Sequence, residues 1–495
     1  MTPRLSIITP VYDPPLGALR ACADSVLHQG DCEWQWCLVD DGSTNPDVRA
    51  LLAELGRHPQ IEVVFREVNG GIVAASNDAL ARIDGDYVVL LDHDDTIAPG
   101  TLAAVSATLA DAHDTPIDYL YTDEAHCHLD GTIALPFAKP HWSPERFRSS
   151  MYTCHLSVLR AEAVRAVGGF RPGYDGSQDH DLVLRVTEAA TANGNRIVHL
   201  PIMGYLWRNV TSSVSRVSAS LERAIENGRR AVHDQCQRLG IDATVEQGPV
   251  AGIYRVHRRR PATSRATLVV ATQLRPEASR PHALAALATL ASIDPHEVNA
   301  TCVVAYPATV SPEIVDMLQP AIRAGWQLVP VDKPFDIAHA ISRALLAYPA
   351  DALVSIAPGL VARPDLTPDW LDTLVALALD PGAGLVTGLL CDTSGKVLHA
   401  GWDIPEFRMY RLEDRVAGET SVGNDLLLER ECTHASLAVA AVSTAQWREA
   451  HHFAQGLWHK AGRELSGALL AGGARTLYTP YARFDQHTAV HLGSK

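Results

Sequence analysis

Residues 86–95 read DYVVLLDHDD, an apolar run that stops abruptly in three carboxylates. A strand that is apolar along its whole length is buried on both faces, as in a parallel sheet covered by helices. Ligands of such sheets sit outside the carboxyl ends of the strands, which is where Asp92, Asp94 and Asp95 fall. Carboxylates packed this closely repel one another, so the cluster binds a cation, caps a helix or faces water. Oxygen-only ligands select a hard ion, Mg2+ or Mn2+, which takes one or two protein carboxylates and completes its shell from substrate phosphates. A cation at this position therefore implies a nucleoside diphosphate beside it.

The same strand–helix rhythm runs upstream: LSIITPV (5–11), LGALRACADSVLHQ (16–29), WQWCLVDDGS (34–43), DVRALLAEL (47–55), IEVVFREV (61–68) and GGIVAASNDALARI (70–83). This predicts an α/β nucleotide-binding layout with a parallel sheet. A second acidic strand end, Asp40 and Asp41 before Gly42 and Ser43, reads either as a tight turn or as a carboxylate that accepts the imide N–H of uracil or thymine. Downstream, DGSQDHD (175–181) opens a helical pattern. There Asp181 suits an N-cap, and Asp179 is a candidate general base.

A second run of the same kind starts with ATLVVAT (266–272) and continues through ATCVVAY (300–306) and DALVSIA (351–357). VVLLDHDDTIAP (88–99) aligns with LVSIAPGLVARP (353–364), and CLVDDGS (37–43) with CVVAYPA (302–308), at one offset of 265 residues, which points to an internal duplication. The duplicate has lost its carboxylates. Ala305 and Tyr306 stand for Asp40 and Asp41, Ala357 and Gly359 for Asp92 and Asp94, and GLWHKAGRELSG (456–467) contains no Asp. A helix over 220–240 and a basic stretch, RVHRRRPATSR (255–265), separate the halves; its charge reads as a solvated linker.

Composition narrows the class. The chain has 495 residues, 47% of them hydrophobic, with a net charge of −15, which argues against broad nucleic-acid binding. Nine scattered cysteines without a CxxC pair favour reduced thiols in a cytosolic compartment. Pro10 interrupts the first apolar run before an export signal forms, and no apolar stretch is long enough for a spanning helix.

In order along residues 4–215, SIITPVYD, VDDGS, NGGIVAASNDAL, LLDHDDTIAP, YTDE, KPHWSPERF, HLSVLR, VGGFRPGYDGSQDHDLVLRV and HLP…YLWR resemble the motif series of glycosyltransferase family 2, the inverting GT-A class. The resemblance implies two tandem α/β GT-A domains of Rossmann-like, nucleotide-diphospho-sugar transferase type. These are a catalytic domain with its connector helix over 1–255, a linker over 256–265, and a degenerate domain lacking DxD and base over 266–495. It places Thr9 and Asp41 at nucleotide-contacting positions, Asp92 and Asp94 at the metal-binding DxD with Asp92 also on the nucleotide side, and Asp179 at the catalytic base. The expected activity is metal-dependent transfer, with Mn2+ or Mg2+, from a UDP- or dTDP-sugar to a hydroxyl of a glycan or lipid-linked glycan in polysaccharide biosynthesis. The expected setting is cytoplasmic, with peripheral association at the inner membrane face and homo-oligomerisation both compatible.

The rival readings are a non-catalytic glycan-binding scaffold and a nucleotidyltransferase, but SIITPVYDPP lacks the Gly-rich basic loop of the latter. Relatives place a metal-reaching His where Val210 and Thr211 stand here. Trp142, His155 and Trp207 read as acceptor-site lining or as core, and His93 as a spacer with polar contacts.

Overall fold

The computed structural model describes residues 2–112, 115–128, 132–208, 218–272, 279–333, 335–402, 415–421, 423–454 and 456–487. The chain divides into two compact units, Met1–Ile241 with Val245–Tyr254, and Asp242–Thr244 with Arg255–Lys495.

The first unit holds β1 (Leu5–Val11), β2 (Trp34–Asp40), β3 (Ile61–Phe65), β4 (Tyr87–Leu90), β5 (Thr96–Ile97), β6 (Ile117–Cys127), β7 (Ile133–Phe137), β8 (Ser157–Arg160) and β9 (Arg196–Arg208). Their order is β3-β2-β1-β4-β8-β6-β9-β5, with β7 paired to β6. β1 to β4 run parallel. β8 is antiparallel to both β4 and β6, so the sheet is mixed rather than wholly parallel. The four apolar runs of the first half thus form the parallel part of the sheet, as their burial on both faces predicts, and the antiparallel β8 is added to it.

Every residue of β2 is buried. Two helices cover the sheet, Leu16–Leu27 through Leu19, Cys22 and Val26, and Pro46–Leu55 through Val48, Leu51, Leu52 and Leu55. The second starts where it does because the Asn45 side chain accepts the Asp47 N–H at 3.0 Å and Pro46 presets the first turn. Burying each such aliphatic side chain contributes about 1.5–3 kcal/mol, so the layer is held chiefly by these faces.

The chain leaves this unit through a hairpin of β10 (Ala243–Gln247) and β11 (Tyr254–Arg258). The basic stretch, which begins within β11, is not a freely solvated linker. Arg258 is buried, with Asp380 at 3.7 Å and Glu429 at 3.6 Å, and Arg260 reaches Asp372 at 3.0 Å. An Arg run reads as solvated in sequence because the acidic partners of Arg258 and Arg260 lie more than a hundred residues away.

The second unit contains β12 (Ala266–Ala271), β13 (Thr301–Pro307), β14 (Gln327–Val331), β15 (Ala352–Ile356), β16 (Leu360–Ala362), β17 (Ala383–Asp392), β18 (Val397–His399), β19 (Arg430–Glu431), β20 (Val439–Ser443) and β21 (Arg475–Gln486). Their order, β14-β13-β12-β15-β20-β17-β21-β16, retraces the route of the first sheet. Two tandem α/β domains of one topology are therefore present. Strand pairing preserves the correspondence of Tyr87 with Ala352, and hence of Asp92 with Ala357 and Asp94 with Gly359. In β13 it shifts by one residue: Asp40 corresponds to Tyr306 and Asp41 to Pro307, not to Ala305 and Tyr306. No carboxylate is regained. Among the described residues no helix is long and apolar enough to cross a membrane.

Candidate active site

The carboxyl ends of β3, β2, β1 and β4 lie on one edge of the first sheet. β8 runs the other way, with Ser157 opposite Leu90, so the residues before it, Cys154 and His155, come to that same edge. β6 pairs Tyr121 with Ser157 and runs on to Glu124, adding Asp123 and Glu124 there.

At the end of β2 both acidic residues are engaged. Asp40 accepts the Ser43 N–H at 3.1 Å and pairs with Arg49 at 2.9 Å. Asp41 accepts the N–H groups of Gly70 and Gly71, each at 2.8 Å, and pairs with Arg66, which also reaches Asp78 at 3.0 Å. Asp41 thus organises the loop after β3, and Arg66 covers it, a partner that the sequence reading did not find. Gly71 has φ +86 and ψ 166, a region open essentially to glycine alone. A Cβ there would lie 3.0 Å from Asp175 Oδ1, so the loop held by Asp41 abuts the segment leading to Asp179.

Thr9 is not brought to this surface. It is fully buried, and its hydroxyl accepts the Trp36 indole N–H at 3.0 Å, which makes it part of the core rather than a side-chain contact for a nucleotide. In a strand buried on both faces, alternation gives no sign of which residue meets the ligand.

Beyond β4, Asp95 is buried, accepting the Tyr205 hydroxyl and the Arg208 backbone N–H, each at 2.7 Å. Burial, then the neighbouring Asp92 and Asp94, pushes its carboxyl well above the usual range. Asp94 is raised as well, by burial first, with His93 opposing and Asp92 adding to the rise. His93 Nδ1 lies 3.0 Å from Pro10 O, which fits its reading as a spacer with polar contacts. The Asp92 side chain is the open one, 45% exposed, with His155 Nε2 at 3.6 Å from Oδ2.

Asp179 stands in the first turn of the helix Gln178–Asn193, half-buried, its Oδ1 accepting the N–H of His180 at 2.8 Å. The N-cap is Ser177 and not Asp181. Asp181 is buried between Arg171 and Arg185, an ion-pair network that local spacing does not reveal. Cys154, next to His155 on this edge, feels the charge of both Asp179 and Asp92: its thiol is pushed well up by burial first, then by Glu124 and Asp179, with Lys139 opposing and Asp92 adding.

Among the described residues no three side chains of His, Cys, Asp or Glu converge into a ready-made metal cage. The donor set still fits a hard cation of one kind, an ion held by the oxygens of Asp92 and Asp94 that takes its remaining ligands from a diphosphate and water. Trp142 packs among Tyr119, Phe147 and Tyr152. Trp207 packs against His126 and His155 beside Asp92. Val210 and Thr211 lie outside the described residues.

Residues 6–168 match the model of glycosyl transferase family 2. The chain is 33% identical over 407 residues to an uncharacterized protein, y4gI, of Sinorhizobium fredii, covering 81% of this chain and 43% of that one. It is 32% identical over 400 residues to the O-antigen biosynthesis protein RfbC of Myxococcus xanthus, covering 81% and 30% respectively. The likeness to a chondroitin synthase of Escherichia coli is 28% over 247 residues, 48% of this chain and 33% of that one. The chain thus spans less than half the length of each of these relatives. The matched motifs are those that build the sheet edge described above, and residues 6–168 of the N-terminal unit form a glycosyl transferase family 2 domain.

Proposed function

We propose that the N-terminal unit is an inverting glycosyltransferase that moves a sugar from a UDP- or dTDP-sugar to a hydroxyl of a glycan or lipid-linked glycan in polysaccharide biosynthesis. One observation carries this reading: Asp92 and Asp94 follow a strand end on the same sheet edge as the glycine loop tied to Asp41, and that loop abuts Asp175, four residues before Asp179. The names of two relatives, an O-antigen biosynthesis protein and a chondroitin synthase, support the polysaccharide setting.

Asp179 is the proton acceptor for the attacking hydroxyl, which approaches the anomeric carbon opposite the diphosphate. A single displacement of this kind inverts configuration. Asp92 and Asp94 would hold a divalent cation, Mn2+ or Mg2+, which supplies neutralisation of the charge on the departing diphosphate. The loop fixed by Asp41 and Arg66 is the surface for the nucleoside. The buried Asp95 acts behind these groups, anchoring Tyr205 and Arg208. The second unit, with Tyr306, Pro307, Ala357 and Gly359 at the corresponding positions, keeps the topology without this chemistry.

The test is a thermal-shift screen of UDP-, dTDP- and GDP-sugars with Mn2+, because a ligand at 100 times its Kd stabilises by about 2.7 kcal/mol. A rise in Tm with one nucleotide class that requires Mn2+ supports the reading. No shift with any donor argues against it.

A further inference from the structure

The segment between the two groups of carboxylates is fixed by a pair of buried charges. Lys139 is buried, with Nζ 2.9 Å from Glu124 Oε2. The ammonium also donates to Thr153 O at 2.6 Å and to His155 O. Glu124 Oε2 in turn accepts the His155 N–H at 3.2 Å. A buried ion pair seldom stabilises a fold more than apolar residues of the same volume would, so its retention calls for another reason. Its effect here is to clamp residues 153–155 from both sides.

The clamp aims a ring. The His155 imidazole stacks on Tyr205, centroids 4.6 Å apart, and meets the edge of Trp207 at 5.4 Å. Nε2 is 3.6 Å from Asp92 Oδ2, while the buried Nδ1 has no hydrogen-bond partner among the described residues. With the proton on Nε2, the ring turns its donor to Asp92 and leaves only an acceptor lone pair at Nδ1. The other tautomer would bury an unsatisfied N–H, the costlier arrangement.

We infer that His155, held by the Lys139–Glu124 pair, is a positioning residue that orients the Asp92 carboxylate for a divalent cation shared with a nucleoside diphosphate. This rests on the transferase reading. His155 acts through Asp92 and not on the sugar.

Calorimetric titration of UDP into the full chain, with and without Mn2+, tests it. His155→Ala is expected to weaken Mn2+-dependent UDP binding about tenfold, equivalent to ~1.4 kcal/mol, while UDP binding without Mn2+ stays unchanged. His155→Gln keeps an N–H donor at similar reach and is expected to recover most of that affinity. Wild-type affinity in His155→Ala overturns the assignment. So does an equal loss in His155→Gln, or a loss that is the same with and without Mn2+. Absence of Mn2+-dependent binding of both UDP and dTDP, titrated in the same way, in the wild type is a distinct result, which overturns the donor reading and this assignment with it.

Discussion

Asp41 accepts the Gly71 backbone N–H at 2.8 Å, so the carboxylate that ends one strand holds the loop that ends the next. Gly71 adopts a backbone conformation no side chain tolerates well, and Asp175 Oδ1 lies 3.0 Å from where a Cβ would stand.

Gly71→Ala should therefore destabilise the first unit by about 1–3 kcal/mol and weaken UDP binding, read by urea unfolding and calorimetry. Gly194→Ala is the control. Its φ of +70 carries left-handed strain, yet a Cβ there meets nothing within 4 Å. It should cost about 1 kcal/mol and leave UDP binding unchanged.

Asp13 links the end of β1 to the turn after β2, accepting the N–H groups of Thr44 and Asn45, each at 2.9 Å. Burial pushes its carboxyl up, but the bonds from Asn45 and Thr44 outweigh it and hold the group below the ordinary range. A depressed folded value means that the unfolded chain binds the proton more tightly. The stabilisation is present above the unfolded value of about 3.9 and is lost as pH falls through the folded one. Asp13→Asn, which tolerates the positive φ of 40, should lower Tm at neutral pH. The gap from wild type should close in acid. A gap that widens as pH falls would contradict this sign.

The strand ends and the duplication were legible in the sequence, the first because an apolar run ended by carboxylates is a local feature, the second because two such runs recur at one offset. What was not legible is how far-apart residues pair. Thr9 reads as a ligand position but bonds to Trp36. Asp181 reads as a cap but lies between Arg171 and Arg185. Glu124 and Lys139 are charged residues in short motifs, with no signal that both are withdrawn from water. The direction of β8 and the one-residue shift in β13 escaped for the same reason, since register is set by partners and not by the strand itself.

Lys139→Met should be severely destabilising, about 3–5 kcal/mol, because it leaves the Glu124 carboxylate buried without its cation. Adding Glu124→Gln should restore a large part of that loss. Denaturant unfolding of the single and double variants checks the coupling, and simple additivity of the two substitutions would contradict it.

Ala357→Asp should confer no metal-dependent turnover through the second unit, since Gly359, Tyr306 and Pro307 remain. The comparison is made in a full chain already carrying Asp179→Asn, where any recovered activity would have to come from that unit.

The most direct measurement is product analysis of the full chain incubated with Mn2+ and nucleotide sugars, wild type beside Asp179→Asn. The account predicts slow release of nucleoside diphosphate by the wild type, transfer once an acceptor hydroxyl is supplied, and a loss of transfer of roughly a hundredfold or more in Asp179→Asn with donor binding retained. Normal turnover by Asp179→Asn, or release of pyrophosphate in place of nucleoside diphosphate, would contradict it.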